Sequence, residues 1–504
     1  MTPARFASHV PALFLFGLAA ACSSGGGGGG GGASTTSSGT GAGGSGGASS
    51  VASFHPTGCG FTIAPRPEYT GFALAKDAVG PHPNIRRVRL GLGGKVTPGA
   101  SGHADPSTSA AFAWQTDDDG TLAADVAWGT GADPSKWDSK DRASGVTWLT
   151  PHGTLGATAD ERMHEAYVCG LSPATTYHYR VGGGPAGHEV WSDVQAFTTT
   201  PPAGATPVTI GVSGDSRGEA NDAWHLVQKR FHLAGTTLDV FSGDVINLAP
   251  DQGEWEEWLD KAAKDSSGYL TLGQTLGLST HGNPENHTSL FYGNLVLPQE
   301  PETKDFVPYT ELFYAVDVGP VHLVVFDDFW LANASDDPAY APVAKKWLEA
   351  DLAAAAKNRA KVPWIVTVHH HGPFSSSDHG KDADVLRNRA FLVPIYDQFH
   401  VDLDLAGHDH DYERSQPLTG PASGPTVHPN PGDGTTYVVC AGSGADAYGA
   451  GTSAFTATSF AFGDDGGYGV YGFLKASPSS LSFEAHELRG DASDPVVDTF
   501  TTTK

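Results

Sequence analysis

The sequence is poor in positive charge. It contains 30 Lys and Arg residues against 56 Asp and Glu residues, which gives a net charge of −26 at pH 7. A protein that binds a nucleic-acid backbone needs a basic face to neutralise phosphates, so no nucleic acid is expected as the main partner. A small phosphorylated substrate stays compatible with this balance, because bound metal ions reverse the sign of the field inside a pocket.

Cysteine is scarce as well, with four residues and no Cys-x-x-Cys pair, which argues against a thiolate zinc site. In an exported chain, Cys59 and Cys169 would meet oxidising conditions, where they either form a disulfide or stay as thiols. Cys440 lies in an apolar strand pattern and is predicted to be a buried small side chain.

After the N-terminus, no stretch is long and apolar enough to cross a membrane. Residues 1–21 carry one early positive charge, Arg5, and then a short apolar run that ends in small residues, which predicts a signal peptide. Residues 18–22 resemble a bacterial lipobox, in which the cysteine, here Cys22, is lipidated after cleavage. An ordinary signal peptide cut near Cys22 is the alternative. We therefore expect export, with membrane contact only through an N-terminal lipid.

Residues 22–55 consist mostly of Gly, Ser, Ala and Thr. Such a tract cannot bury a core and is typical of a flexible linker. A linker directly after a lipidated cysteine would hold the following domains away from a membrane. The predicted location is the bacterial cell envelope, at the outer membrane or the cell surface, with secretion as the alternative.

Residues 56–200 contain short alternating segments separated by turn-forming residues. These segments cover residues 110–116, 124–128, 165–169, 176–181 and 194–198. Strands at such intervals, without a helical period, predict an antiparallel β-sandwich.

Residues 205–504 show a different pattern, in which apolar runs alternate with helical segments. The predicted strands cover residues 208–212, 238–241, 321–326, 364–368 and 401–405, and strands return from residue 437 onward. The predicted helices lie near residues 224–233, 254–264, 344–356 and 387–399. Buried strands that alternate with helices indicate an α/β domain.

Polar motifs rich in Asp, Asn and His accompany these predicted elements. They occupy residues 213–217, 242–247, 281–287, 369–374 and 406–411. Four of them lie at the carboxyl ends of predicted strands, where open α/β sheets gather ligand-binding groups. Carboxylates, amides and imidazoles suit manganese, iron or zinc, so the pattern predicts a metal site.

The order of these motifs (Gly-Asp, Gly-Asp, Gly-Asn, His, Gly-His-x-His) resembles that of the calcineurin-like metallophosphoesterases. Residues 407–415, Gly-His-Asp-His-Asp-Tyr-Glu-Arg-Ser, are similar to the purple acid phosphatase branch. Residues 170–182 and 197–201 resemble the fibronectin-type-III-like domain that precedes the catalytic domain in that branch. The resemblance implies a catalytic domain of two mixed β-sheets packed face to face and flanked by helices.

The resemblance also implies a binuclear metal centre that holds two ions, with iron, manganese or zinc as candidates. The implied ligands are Asp215 and His410 for the first metal, Asn283, His371 and His408 for the second, and Asp244 as the bridge. His371 is preferred over its two histidine neighbours because His371-Gly-Pro matches the family pattern His-x-Pro. His379 falls where the family places a substrate-facing histidine.

Several positions depart from the family pattern. Asn247 replaces the tyrosine whose phenolate gives purple members their colour, so no purple colour is expected, and Asn247 either ligates metal or leaves room for water. Pro284 replaces a histidine that helps to stabilise the leaving group. Arg217 is the candidate to compensate by gripping a phosphoryl oxygen, and His287 is the candidate to supply an imidazole. The alternatives are a salt-bridged Arg217 and a structural His287.

The implied function is an exported enzyme that hydrolyses phosphate monoesters by attack of a hydroxide bridging the metals. His379 would protonate the leaving oxygen, while Asp409 and Glu413 are candidates to orient the ligand imidazoles. One alternative is a phosphodiesterase or nucleotide hydrolase of the same fold. Another is a surface binding protein with weak catalysis, although the six filled ligand positions favour the enzyme.

Overall fold

The protein is seen in a computed structural model, and Val51–Lys504 form one compact unit. The structure describes residues 53–63, 69–94, 105–150, 161–217, 223–263, 271–285, 287–299, 311–332, 337–463, 466–490 and 493–504. The predicted signal peptide, Cys22 and nearly all of the predicted linker lie outside these residues.

The N-terminal third of this unit consists of short strands and a single 3-10 turn at Pro134–Lys136 among its described residues. The strands are β1 (Ala73–Leu74), β2 (Ile85–Gly91), β3 (Ser109–Thr116), β4 (Asp125–Gly129), β5 (Arg142–Ser144), β6 (Val146–Leu149), β7 (Arg162–Cys169), β8 (Thr176–Gly183), β9 (Val190–Trp191) and β10 (Gln195–Thr198). They form two antiparallel sheets, β1-β6-β7-β3-β2 and β10-β8-β4-β5, with β9 paired to β8. This architecture confirms the predicted β-sandwich.

The cysteines behave in two different ways. Cys59 and Cys169 are joined in a disulfide across 110 residues of sequence, which resolves the alternative that the sequence left open. Cys440 is free and buried in a strand, as its apolar surroundings in the sequence predicted.

The C-terminal domain alternates strands and helices. Its strands are β11 (Val208–Ser213), β12 (Leu238–Phe241), β13 (Gly277–Ser279), β14 (Phe313–Val318), β15 (Val321–Phe326), β16 (Trp364–His371), β17 (Leu403–Gly407), β18 (Tyr412–Ser415), β19 (Leu418–Thr419), β20 (Thr426–Val427), β21 (Thr436–Cys440), β22 (Thr456–Phe460), β23 (Gly469–Ser477), β24 (Ser480–Leu488) and β25 (Val496–Thr503). Its helices are α1 (Ala223–Ala234), α2 (Gln252–Ala263), α3 (Ser289–Asn294), α4 (Phe329–Ala332), α5 (Tyr340–Lys357) and α6 (Ala383–Phe399), and a 3-10 turn covers Thr271–Gly273.

Two mixed sheets organise this domain, as the resemblance implied. One has the strand order β13-β12-β11-β23-β24-β25, and the other has the order β14-β15-β16-β17-β21-β18-β22. β11, β12 and β13 run parallel, and so do β15, β16, β17 and β21. The parallel strands are apolar and buried almost throughout, which is typical of strands covered on both faces.

Strand β16 extends further than the apolar run predicted. The prediction ended this strand at Val368, whereas the structure continues it to His371 through a register irregularity between these two residues. His369, His370 and His371 are all buried and hydrogen bonded. Because partners satisfy their polar rings, the strand continues through three histidines.

The sandwich is attached through arginines of β2. Arg87 makes two hydrogen bonds of 2.9 Å to Asp260 of α2. Arg89 is buried and donates to the carbonyl of Asn294 in α3 at 2.5 Å. Burial lowers the pKa of Arg89 to about 9. The sandwich therefore supports the helices on either side of the 281–287 motif. Among the described helices, none is both long enough and apolar enough to cross a membrane.

Candidate metal centre

The predicted ligands lie where the two mixed sheets converge. Three motif segments follow β11, β12 and β13 of one sheet, and two lie at the ends of β16 and β17 of the other. The backbone N–H of His408 donates to both oxygens of Asp215, at 3.1 and 3.3 Å. His370 Nδ1 donates to the carbonyl of Ser242 at 2.8 Å. Each sheet thus supplies part of a single site.

The backbone at this site is unusual. Nine described residues other than glycine have positive φ, and Asp215, Arg217, Asp244 and His408 are among them with φ of 56°, 48°, 56° and 74°. Such conformations cost free energy and cluster at functional sites. The preceding glycines allow close approach, since a Cβ on Gly282 would collide with Asp244 Oδ1.

The bridging position is surrounded by imidazole and amide groups. His370 Nε2 lies 3.1 Å from Asp244 Oδ1 and 3.0 Å from Asn283 Oδ1. Asn283 Oδ1 is also 3.2 Å from His408 Nδ1. On the other side of the site, His410 Nε2 is 3.5 Å from Asp215 Oδ1. Five of these six residues belong to the six that the resemblance implied as ligands, and His370 is an addition.

Buried atoms at the site lack hydrogen-bond partners in the described part of the chain. They are Asp244 Oδ1, His408 Nε2 and His410 Nε2. Two atoms bound at right angles to one ion at about 2.05 Å lie ~2.9 Å apart, without the alignment of a hydrogen bond. Asp244 Oδ1 meets this description beside His370. The donor set and its geometry therefore fit metal ions.

Three ring orientations support the same interpretation. His370 and His410 each pair Nδ1 with a backbone carbonyl, of Ser242 at 2.8 Å and of Asp446 at 2.7 Å. His371 Nδ1 pairs with Asp328 Oδ1 at 3.0 Å. A carbonyl or carboxylate on one ring nitrogen directs the lone pair of the other nitrogen toward a metal.

His370 is the residue that the sequence interpretation passed over. The sequence preferred His371, whose ring lies 4.4 Å from that of His408. His370 belongs to two groups of ligand atoms within 4.8 Å of one another, one with His371 and His408 and one with Asp215 and Asp244. The His-x-Pro pattern could not reveal this, because the irregularity in β16 changes where each histidine falls.

Charge at the site favours cations. Burial alone would lower the pKa of His370, but the Asp244 carboxylate raises it to about 10. Burial alone would raise the pKa of Asp244. The positive charges of His370 and Arg217 outweigh the effect of burial, so the pKa of Asp244 is lowered. Burial and the rings of His371 and His370 hold the pKa of His408 well below its usual value. A metal bound here would displace the proton of His370, so acid should weaken metal binding.

Arg217 contacts the bridging carboxylate. Its Nη2 lies 2.6 Å from Asp244 Oδ2, and its backbone N–H donates to the Asp244 carbonyl at 3.1 Å. The side chain is 24% exposed, and its Nε is buried without a partner among the described residues. The structure therefore places Arg217 in a salt bridge at the centre of the site, while its contact with a substrate remains a prediction.

Two other predicted residues lie apart from this group. Asn247 is exposed, its backbone N–H donates to Glu254 at 2.8 Å, and no side-chain contact links it to the other ligands among the described residues. His287 lies 2.8 Å from Asp327 and packs against Trp330. The described contacts do not connect His287 with the six implied ligands, so both assignments remain predictions.

His379 lies at the exposed edge of the site, with its ring 4.6 Å from that of His408. Its Nδ1 pairs with Asp382 Oδ2 at 2.9 Å, and its backbone N–H donates to Asp409 at 2.9 Å. Glu413 accepts hydrogen bonds from Ser376. Asp409 and Glu413 therefore hold the loop that carries His379, rather than orienting ligand imidazoles as expected.

Glu285 and Tyr448 are two residues that the sequence interpretation missed. Glu285 is buried and accepts from the backbone N–H groups of Asp244, Val245, Ile246 and Gly282. Burial and the Asp244 charge raise the pKa of Glu285 to about 7. The ring of Tyr448 stacks on His410 at 4.0 Å. Only the proximity of Glu285 to Asn283 in the sequence hinted at its role.

Comparison with known proteins agrees with this geometry. Residues 99–199 match the purple acid phosphatase N-terminal domain, and residues 208–412 match the calcineurin-like phosphoesterase family. A purple acid phosphatase of Glycine max is 29% identical over 276 residues, covering 52% of this chain and 54% of that protein. The acid phosphatase type 7 of Danio rerio is 25% identical over 293 residues, covering 53% and 62%. The matches thus span little more than half the length of these relatives.

Among solved structures, the purple acid phosphatase PPD1 from Lupinus luteus seeds shares this fold with a TM-score of 0.63. It is 16% identical, and the alignment covers 84% of this chain and 74% of that one. Two domain models in the family's order and a ligand set at converging strand ends lead to one assignment. The chain carries a purple acid phosphatase N-terminal domain before a calcineurin-like phosphoesterase domain.

Proposed function

We propose that this protein is an exported phosphatase that hydrolyses small phosphate monoesters at a binuclear metal centre. The observation that carries the proposal is the cluster of buried carboxylate, amide and imidazole groups around Asp244, in which Asp244 Oδ1, His408 Nε2 and His410 Nε2 have no hydrogen-bond partner among the described residues. Asp215, Asp244 and His410 would hold one ion. Asp244, Asn283 and His408, with His370 or His371, would hold the other. Iron, manganese and zinc all suit these donors.

When bound, such a metal pair lowers the pKa of a water to near neutrality and polarises phosphoryl oxygens. The side chains of the protein would position the phosphoryl group and protonate the leaving group. Arg217, fixed against Asp244, presents its remaining N–H groups to phosphoryl oxygens that gain charge. His379, oriented through Nδ1 by Asp382, holds a proton at Nε2 for the leaving oxygen.

A phosphodiesterase is the second candidate, and one observation favours it. Pro284 stands where the family has an imidazole that helps the leaving group of a monoester. A diester with a better leaving group needs that help less. The surface-binding alternative, in which the sandwich domain carries the function, predicts weak turnover or none.

The test is hydrolysis of p-nitrophenyl phosphate beside bis-p-nitrophenyl phosphate. Metal-stripped protein would be resupplied separately with manganese, iron, zinc or magnesium. Metal-dependent turnover of the monoester supports the phosphatase, and faster turnover of the diester supports the phosphodiesterase. Folded protein without turnover under any metal would reject both and favour a binding protein.

Export and lipidation form part of the same proposal. The support is the N-terminal sequence pattern together with the Cys59–Cys169 disulfide, since disulfides are typical of oxidising compartments. Fractionation of cells that express the wild type and Cys22→Ser tests this. We expect the wild type to be attached to the membrane and Cys22→Ser to lose that attachment. A wild-type protein found in the cytoplasm would contradict export.

A further inference from the structure

A second group of ligand-type side chains lies beside the metal centre. It consists of His281, His287 and Asp327, which we call the side cluster. Their ligand atoms all lie within 4.8 Å of one another, and none of the three belongs to the groups around Asp244. His281 and Asp327 are fully buried, and the side chain of His287 is 7% exposed.

The closest pair in the side cluster has the same geometry as the metal centre. His287 Nε2 and Asp327 Oδ2 are 2.8 Å apart. Neither atom nevertheless has a hydrogen bond among the described residues, so the pair is close but not aligned. Two ligands of one tetrahedral zinc ion at about 2.05 Å lie ~3.3 Å apart, so a small outward rotation of the two side chains would accommodate an ion.

The surroundings of the side cluster are buried and aromatic. The ring of His281 stacks on Phe291 at 3.6 Å, and the ring of His287 lies 3.8 Å from Trp330 and 5.3 Å from Phe329. The buried Asp327 Oδ2 and His287 Nε2 are costly in such surroundings unless they are hydrogen bonded or bind a metal. His287 also has a positive φ of 53°, a conformation that persists only where the surrounding structure enforces it.

A salt bridge of the ordinary kind in the same domain provides a contrast. His322 is equally buried, and its ring forms aligned hydrogen bonds to Asp317 at 2.8 Å and to Asp351 at 2.9 Å. Both nitrogens of His322 are satisfied, which leaves no ligand atom for an ion. In the side cluster, by contrast, His287 Nε2 and Asp327 Oδ2 lie close together without an aligned hydrogen bond.

From these observations, we infer that His281, His287 and Asp327 form an additional binding site for a divalent transition-metal ion such as zinc. Two imidazoles and one carboxylate are a donor set for zinc and similar ions. His281 and His287 lie on either side of Asn283 in the sequence, and Asp327 precedes Asp328, which binds His371. An ion at the side cluster would tie these two ligand-bearing segments together, so its role is structural.

The experiment measures zinc content, which does not depend on turnover. Metal-stripped full-length protein is dialysed against zinc, and bound zinc per chain is measured by mass spectrometry. His287→Ala and Asp327→Asn are the test variants, and His322→Gln is the matched control. Asp327→Asn keeps the oxygen that accepts from the Phe329 N–H at 2.9 Å, so it separates lost binding from lost folding.

We expect His287→Ala and Asp327→Asn each to bind one zinc ion fewer than the wild type, while His322→Gln keeps the wild-type content. The extra ion should also remain in Asp244→Asn, because that substitution affects only the metal centre. Zinc should raise the melting temperature of Asp244→Asn, and adding His287→Ala should remove that rise. Equal zinc content in the wild type, both test variants and the control would overturn the inference.

Discussion

The two ends of the seven-stranded sheet use the same residue types for different purposes. His322 lies near the start of β15, where Asp317 and Asp351 satisfy both of its ring nitrogens. At the carboxyl ends of β16 and β17, His370 and His408 lie close to carboxylate and amide oxygens, and several atoms remain without a partner among the described residues. One end forms a closed salt bridge, and the other forms a metal centre.

The difference teaches that proximity alone does not identify a metal site. A histidine and an aspartate 2.8 to 3.1 Å apart occur at both ends of this sheet. Partnerless atoms distinguish the two ends, because Asp244 Oδ1, His408 Nε2 and His410 Nε2 have no hydrogen-bond partner among the described residues and keep lone pairs that a metal can use. Four predictions sharpen or break this comparison.

The largest effect is expected for Asp244→Asn. Replacing the implied bridging carboxylate removes a charge from both metal positions and leaves Arg217 without its ion pair. Because bound metals supply several kcal/mol of transition-state stabilisation, turnover of p-nitrophenyl phosphate should fall by about 10³-fold or more. The measurement is kcat with each metal in excess.

Asp351→Asn is the matched control for that substitution. It changes a buried carboxylate paired with a histidine at the opposite end of the sheet. Its kcat should stay near the wild-type value. An equal loss of turnover in both variants would show that Asp244 acts through stability rather than through metal binding.

The next effect concerns the histidines of β16. His370→Ala should lower metal affinity by more than about 100-fold, beyond the range typical of groups outside the metal ligands. His369 contacts only Asp328 and Asp404 among the described groups. His369→Ala should therefore lower metal affinity by about 10–100-fold. Competition with a chromophoric chelator measures both affinities.

His371→Ala completes that series. If His371 is the ligand and His370 only supports it, then His371→Ala will lower metal affinity by more than 100-fold. His370→Ala will then lower metal affinity only as much as His369→Ala does. Losses beyond 100-fold in both variants would show that both rings bind metal, as their grouping with His408 suggests.

The sequence predicted the fold and the chemistry of the site better than its fine geometry. The sandwich strands could be predicted because alternating residues report which face is buried, and the phosphoesterase strands because they are continuous apolar runs. The motif order located Asp215, Asp244 and His408, which the structure brings together. These features depend on the order of neighbouring residues along the chain, which can be read directly from the sequence.

Other features depend on contacts that no local pattern records. Three identical histidines do not reveal which ring faces Asp244, since that depends on an irregularity in the pairing of β16 with β17. The role of Glu285 depends on four backbone N–H groups from two loops. Asn247 occupies a family ligand position, yet its exposure follows from the path of the loop before α2.

A smaller effect, on stability rather than activity, is expected for His322→Gln. Burial alone would lower the pKa of His322, but Asp351 and Asp317 raise it to about 10, above the usual 6.5. The pair therefore stabilises the fold fully below pH 6.5, and its contribution is lost as the pH rises through 10. Urea unfolding should show a deficit of about 3 kcal/mol at pH 6.

That deficit should shrink by up to about 1.4 kcal/mol per pH unit between pH 6.5 and 10. Measurements at pH 6, 8 and 9.5 check the direction of this change. A deficit that is constant with pH would mean that His322 stays neutral in the folded protein, and the closed salt bridge would then be an uncharged hydrogen-bonded pair.

The smallest effect is expected for Asp382→Asn at the edge of the metal centre. Asp382 pairs with His379 at 2.9 Å, but its side chain is 54% exposed, and pairs of this kind contribute about 0.2–1 kcal/mol. Asparagine keeps an acceptor for Nδ1, so kcat should fall by no more than about fivefold with KM unchanged. Asp384→Asn, in the first turn of the helix that follows Asp382, is the control. A loss of about 100-fold confined to Asp382→Asn would instead show that its charge takes part in proton transfer through His379.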